Sequence, residues 1–161
     1  IELLSGQWYV GTNVRSLRTL LGSCVSLTFW IASERVGGMC HFMLPERKRA
    51  AGAVLDAKYG DEAVDLMAAA LRYWGLSLRG VEVGVYGGGD TQAWLGGAKM
   101  GIGDRNVERA WELAQRWGFV IKEMDVGGEG ARTVELDLET GRVSCRRAAS
   151  KKARIAQAEE G

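Results

Sequence analysis

The segment TLLGSCVSLTFWIASERVGGMCHFMLP, from Thr19 to Pro45, constrains the fold more than any other part of this chain. Branched and aromatic residues fill Val25 to Ile31, and a second apolar run follows from Val36 to Phe42. Between them, Ala32-Ser33-Glu34-Arg35 has the length and polarity of a hairpin loop. Closing that loop pairs Ile31 with Val36, and counting back sets Phe29 opposite Gly38, Leu27 opposite Cys40 and Val25 opposite Phe42. That face is almost wholly apolar. The other face pairs Trp30 with Gly37, Thr28 with Met39, Ser26 with His41 and Cys24 with Met43, so Cys24 lies diagonal to His41. Diagonal neighbours on an antiparallel pair have Cα atoms about 7 to 8 Å apart, within reach of each other's side chains.

The chain has one His and three Cys, and this register sorts them. Cys40 is adjacent to His41 in sequence but points to the opposite face, so it reads as a small core residue. Cys24 shares the face of His41. A free thiol is little ionised at neutral pH, and an imidazole that takes its proton makes it a usable nucleophile. Gly22 and Ser23 precede Cys24 in a small-residue turn whose backbone N–H groups can face a substrate oxygen. Thr19 and Ser23 either cap turns or orient the imidazole. A Cys and a His on one strand pair also fit as ordinary core neighbours, and the hairpin by itself leaves both readings open. Cys145, on a later strand without a His, reads as structural. There is no C-x-x-C, His pair or zinc-ligand spacing, so no metal is expected. The odd Cys count, with no signal-peptide pattern, points to reduced thiols in the cytoplasm.

The remaining sequence builds one unit around this hairpin. With 161 residues, 47% hydrophobic and 25% charged, a single domain is expected over residues 1–147, followed by a charged tail, 148–161, that is frayed or helical. The 21 Lys and Arg are balanced by 20 Asp and Glu, which gives nucleic-acid binding no support. The tail is basic and the body mildly acidic. No apolar run reaches the roughly 18 residues of a membrane span, so no membrane insertion is expected. The spacing predicts a helix capped by Asp61, with Ala63, Met67, Ala70, Leu71 and Trp74 on its inward face and Gly75 as its stop. A second helix is predicted from about Asn106 to Trp117, with Val107, Ala110, Trp111, Ala114 and Trp117 inward, Gly118 as its stop, and Asn106 as a cap or a loop-holding residue. The tryptophans at these positions are expected in the core. Strands are predicted at 81–85, 119–124, 134–138 and 143–145, with turns at Gly87-Gly88-Gly89 and Thr140-Gly141. Gly87-Gly88-Gly89 lacks the Lys-Ser or Lys-Thr of a phosphate-binding loop, and Gly101 to Gly103 lacks the further Gly of a dinucleotide fingerprint. This order fits the α+β class, as a mixed β-sheet sandwich with flanking helices.

The hairpin resembles the chemoreceptor glutamine deamidase family, CheD. The resemblance rests on Thr19, then Leu21-Gly22-Ser23-Cys24-Val25, then Gly37-Gly38-Met39-Cys40-His41-Phe42-Met43-Leu44-Pro45. It continues through Tyr59-Gly60-Asp61, Gly87-Gly88, Ile102-Gly103-Asp104-Arg105-Asn106 and Thr140-Gly141-Arg142-Val143, covering about residues 6 to 147. It implies a hydrolase that converts Gln side chains of methyl-accepting chemotaxis receptors to Glu through a thioester. Cys24 matches the nucleophile and His41 the base, and Thr19 falls in the region of the residue that orients the imidazole. Gly22 and Ser23 would then supply the oxyanion-binding turn. No cofactor is implied, a monomer is expected, and the chemotaxis phosphatase CheC is a second implied partner. Cys40, Gly89 and the basic segment from Glu46 to Lys58 depart from the family pattern, the last at a place suited to receptor choice. The rival readings are a non-catalytic chemotaxis adaptor that binds receptors or CheC, and a toxin-like or transglutaminase-like enzyme using the same Cys-His pair.

Overall fold

The computed structural model describes residues 1–90, 101–149 and 157–160. Two sheets pack face to face, and two helices cover the outer face of one of them. The first sheet has the order β1 (Glu2–Leu3), β3 (Ser16–Leu21), β8 (Arg132–Asp137), β9 (Val143–Arg147). The second has the order β2 (Trp8–Gly11), β5 (Val36–Cys40), β4 (Val25–Ile31), β6 (Glu82–Gly87), β7 (Val120–Val126). Both sheets are mixed: β1 runs parallel to β3 and β7 parallel to β6, while the other neighbours are antiparallel. The helices are α1 (Gly60–Tyr73) and α2 (Ile102–Trp117). This is the α+β sandwich expected from the sequence.

The hairpin register is the one that the loop length dictates. Ile31 pairs with Val36, Trp30 with Gly37, Phe29 with Gly38 and Thr28 with Met39, and an isolated bridge joins Val25 to Phe42. Strand alternation then feeds two cores. Val25, Leu27, Phe29, Cys40 and Phe42 meet Val64, Met67, Leu71 and Leu113 of the helices, whereas Met39 faces Leu17, Leu21, Val134 and Leu136 of the first sheet. Cys40 is therefore buried on the helix side and Cys24 belongs to the opposite face, as the register requires.

The helices depart from expectation at their ends and edges. Tyr59, not Asp61, is the N-cap of α1, and Asp61 lies inside the first turn, where a carboxylate suits the positive end of the helix. α2 begins before Asn106: Gly101 is its N-cap, and the Asp104 carboxylate accepts from the Gly101 N–H at 3.1 Å. Asn106 is thus an interior residue, buried against the sheet. Trp74 and Trp111, expected in the core, are 42% and 48% exposed. The inward face of α2 is carried by Asn106, Ala110, Leu113 and Ala114, which leaves Trp111 at its edge. Gly75 and Gly118 follow the helix ends as predicted. The three N-terminal strands, β1 to β3, were not legible beforehand. The tail reading falls largely on 150–156 and 161, outside the described residues, with a helical turn at 157–159.

Two charged clusters pin loops to the body of the fold. Arg132, on β8 and 1% exposed, crosses between the sheets to pair with Asp125 of β7 at 2.7 Å and donates to the Gly127 carbonyl. Arg147 of β9 holds the same Asp125 oxygen at 2.6 Å. In the basic segment, Arg47 donates to both oxygens of the buried Glu62, at 2.8 and 3.0 Å, and to the Val54 carbonyl. The Asp56 N–H donates to Glu62 at 2.7 Å. Part of that segment's positive charge is therefore spent on folding the loop back onto α1.

Arg132→Ala should cost about 3 kcal/mol of unfolding free energy, because it strips a buried guanidinium's contact with the half-buried Asp125 carboxylate and takes the donor from the Asp125 and Gly127 carbonyls, while Arg147 still neutralises Asp125. Urea denaturation followed by tryptophan fluorescence measures it.

Candidate active site

The site forms where the ends of the two sheets meet. β3 alternates Leu17, Thr19 and Leu21 inward with Arg18 and Leu20 outward, so Thr19 occupies a core position and is fully buried. Its hydroxyl lies 2.7 Å from the Leu3 carbonyl and 2.7 Å from His41 Nδ1. A hydroxyl has one proton and a carbonyl can only accept, so Thr19 donates to Leu3 and accepts from His41 Nδ1–H. The network thereby assigns the imidazole proton to Nδ1 and leaves the Nε2 lone pair free. His41 is 4% exposed, and its backbone is held too: its N–H donates to the Gln7 carbonyl and its carbonyl accepts from the Gly6 N–H. Nε2 has one close polar neighbour, Ser5 Oγ at 3.3 Å.

Cys24 sits half-buried in the loop between β3 and β4. Burial pushes its thiol pKa up, against the lowering effect of hydrogen bonds from the Ser5 hydroxyl and its own backbone N–H. Burial also pushes the His41 pKa down, opposed by the Leu3 carbonyl. Both shifts favour a neutral thiol beside a neutral imidazole. No direct hydrogen bond joins the thiol to the ring. Cys40, wholly buried, is pushed up to about 12, and Cys145, through burial and the neighbouring Asp125, to about 11. All three thiols are free, and only Cys24 shares a hydrogen-bonding neighbour with an imidazole.

The loop that carries Cys24 is held by its carbonyls. Gly89 N–H donates to Gly22 C=O at 2.8 Å, Gly88 N–H donates to Cys24 C=O at 2.8 Å, and Asn106 Nδ2 donates to Ser23 C=O at 3.0 Å. In a trans peptide the carbonyl of one residue and the N–H of the next point in opposite directions. Anchoring the Gly22 and Ser23 carbonyls therefore turns the Ser23 and Cys24 N–H groups away from those anchors, as an oxyanion site needs. The close approach depends on glycine. Gly87 has φ +109°, and a Cβ there would stand 2.1 Å from the Cys24 carbonyl oxygen. Gly103 likewise lets α2 touch this loop, since its Cβ would lie 2.6 Å from the Gly88 and Gly89 carbonyls.

Thr19 and His41 are thus brought into direct contact, and Cys24 lies in the loop formed with Gly22 and Ser23. Sequence reasoning missed Leu3, Ser5 and the full role of Asn106. Asn106 also donates to the Met43 carbonyl at 2.9 Å, so one side chain ties the Cys24 loop to the end of the His41 segment. The available signal was a polar residue recurring on the inward face of an amphipathic helix. Among the described residues, no group of three or more His, Cys, Asp or Glu could hold a metal ion.

Two outcomes are expected. Iodoacetamide near neutral pH labels Cys24 ahead of Cys145 and leaves Cys40 untouched, as peptide-resolved mass spectrometry reads directly. Asn106→Asp, which presents an acceptor to two carbonyls, destabilises more than Asn106→Ala; the alanine variant costs about 1 to 3 kcal/mol for the orphaned carbonyls, by denaturant titration.

Comparison with known proteins extends these observations. Residues 43–147 match the family model described as CheD chemotactic sensory transduction. A relative from Pseudomonas syringae pv. tomato is 38% identical over 145 residues, covering 89% of this chain and 86% of its own. One from Dechloromonas aromatica is 36% identical over 143 residues, covering 89% and 84%. One from Thermococcus kodakarensis is 35% identical over 132 residues, covering 82% of each. All three carry the name probable chemoreceptor glutamine deamidase CheD, the second with the number 3. Among the described residues no helix is long and apolar enough to cross a membrane. With two-thirds of its length matched by the family model and nearly all of it by such relatives, the chain belongs to the CheD family.

Proposed function

We propose that this protein is a glutamine deamidase of methyl-accepting chemotaxis receptors, using Cys24 as nucleophile and His41 as base. The observation that carries the reading is the pairing of a half-buried thiol with an imidazole whose Nε2 is freed by Thr19, in a chain whose relatives are named for this activity. As substrate enters, His41 Nε2 takes up the thiol proton and the thiolate attacks the carboxamide carbon of a receptor Gln. The Ser23 and Cys24 N–H groups receive the developing oxyanion, with Gly22 keeping the turn open. Imidazolium returns its proton to the departing ammonia, leaving a thioester. Water, deprotonated by the same Nε2, then hydrolyses the thioester to Glu and restores the thiol. No cofactor enters this sequence. The protein acts in the cytoplasm, where receptor signalling domains present their Gln side chains, and as a monomer. CheC would compete for the same surface.

The adaptor reading would need only a surface. It gives no reason for a buried Thr19 hydroxyl to fix an imidazole tautomer beside a thiol, so catalysis is preferred.

Ammonia release from purified receptor signalling fragments tests the reaction. Cys24→Ala abolishes it; retention of full activity by that variant ends this account. Thr19→Val, close in shape but without the accepting oxygen, lowers kcat at least about tenfold by freeing the ring to take the wrong tautomer. Because burial lowers the His41 pKa, the base stays unprotonated below the usual histidine range. The acid limb of kcat/KM against pH should accordingly fall below about 6.5.

A further inference from the structure

The turn that covers His41 belongs to no motif of the sequence. Gln7 N–H donates to the Leu4 carbonyl at 3.0 Å and Gly6 has φ +80°, which makes Leu4 to Gln7 a type II turn with Ser5 at its second position. The Gln7 side chain accepts from Leu4 N–H at 2.9 Å and closes the turn on itself. The turn is clamped to His41 on both sides, by Gly6 N–H donating to the His41 carbonyl at 2.8 Å and His41 N–H donating to the Gln7 carbonyl at 3.0 Å. Held this way, it cannot slide relative to the ring. It sets Ser5 Oγ 3.3 Å from Nε2, and the same hydroxyl eases ionisation of the Cys24 thiol.

We propose that Ser5 is a positioning residue of the Cys24–His41 site, its hydroxyl relaying the proton between thiol and imidazole; this rests on the catalytic reading above. The directions of donation are fixed from the far end. Thr19 donates to Leu3, so Nδ1–H donates to Thr19 and Nε2 must accept. Ser5 O–H donates to Nε2, and Cys24 S–H donates to Ser5 Oγ. Transfer breaks the S–H bond as Ser5 Oγ takes that proton, while the former Ser5 proton passes to Nε2. The hydroxyl is regenerated, and the products are thiolate and imidazolium. In that state the donations reverse, with Nε2–H donating to Ser5 Oγ and Ser5 O–H donating to the sulfur. Neither Cys24 nor His41 owes its shift to a charged side chain; burial, backbone groups and Ser5 are the influences on them. The hydroxyl is thus the side chain that eases thiolate formation.

The test compares Ser5→Ala, Ser5→Pro and Ser5→Thr in the full chain. Proline is favoured at the second position of a type II turn, so Ser5→Pro removes the hydroxyl while keeping the turn. Two readouts are followed: the pH profile of Cys24 alkylation by iodoacetamide, resolved by peptide mass spectrometry, and kcat and KM for ammonia release. Both hydroxyl-free variants should move the alkylation profile to higher pH and slow labelling at neutral pH about tenfold, with kcat reduced similarly and KM unchanged. Ser5→Thr should restore both. Wild-type alkylation profiles in Ser5→Ala and Ser5→Pro overturn the proposal, as does failure of Ser5→Thr to recover. Alkylation needs no receptor, so a shifted profile in a protein that releases no ammonia would sink the deamidase reading and leave the relay standing.

Discussion

A hydroxyl has a single proton, and at Thr19 that proton is committed to the Leu3 carbonyl. Everything at the site follows in sequence from this. Thr19 must accept from Nδ1–H, the imidazole must present a bare Nε2, and the ring must lie in one orientation. The commitment needs both sheets, because Thr19 comes from β3 of one and His41 follows β5 of the other. β1 matters chiefly as the short strand that brings Leu3 alongside Thr19. The sandwich is thus the device by which a neutral imidazole is held in one orientation in a nearly dry position.

The loop that carries Cys24 is held by different means. It contributes no long side chains to packing, so its conformation is imposed through its carbonyls by Gly88, Gly89 and Asn106. The Gly88 and Gly89 anchors follow directly on Gly87, whose carbonyl accepts from Gly127 N–H at 2.9 Å, and Arg132 in turn grips the Gly127 carbonyl across the sheets. A charge network far from the thiol therefore sets the geometry of the turn that carries it.

The parts of this structure that were legible in the sequence are those governed by alternation and loop length. The four residues from Ala32 to Arg35 fixed the hairpin register, and the register separated Cys24 from Cys40 correctly. The helix stops at Gly75 and Gly118 were readable because a backbone requirement selects glycine there. Helix starts were less so: neither Tyr59 nor Gly101 has a side chain that caps, and the one polar mark at the second boundary is Asp104, three residues inside it. Trp74 and Trp111 were misplaced because spacing gives a face to within a residue, and the edge of that face is half wet. Leu3 and Ser5 were invisible for a firmer reason. They act through a backbone carbonyl and a turn geometry, and both depend on β1 pairing with a strand many residues away.

The neutral pairing of Cys24 and His41 bears on the protein's chemical durability. Peroxides attack thiolates, and a cysteine kept permanently ionised climbs the path through sulfenic to irreversible sulfinic acid. Here burial raises the thiol and lowers the imidazole, so the sulfur spends its idle time protonated. The same burial that makes proton removal harder thus also protects the sulfur from oxidation.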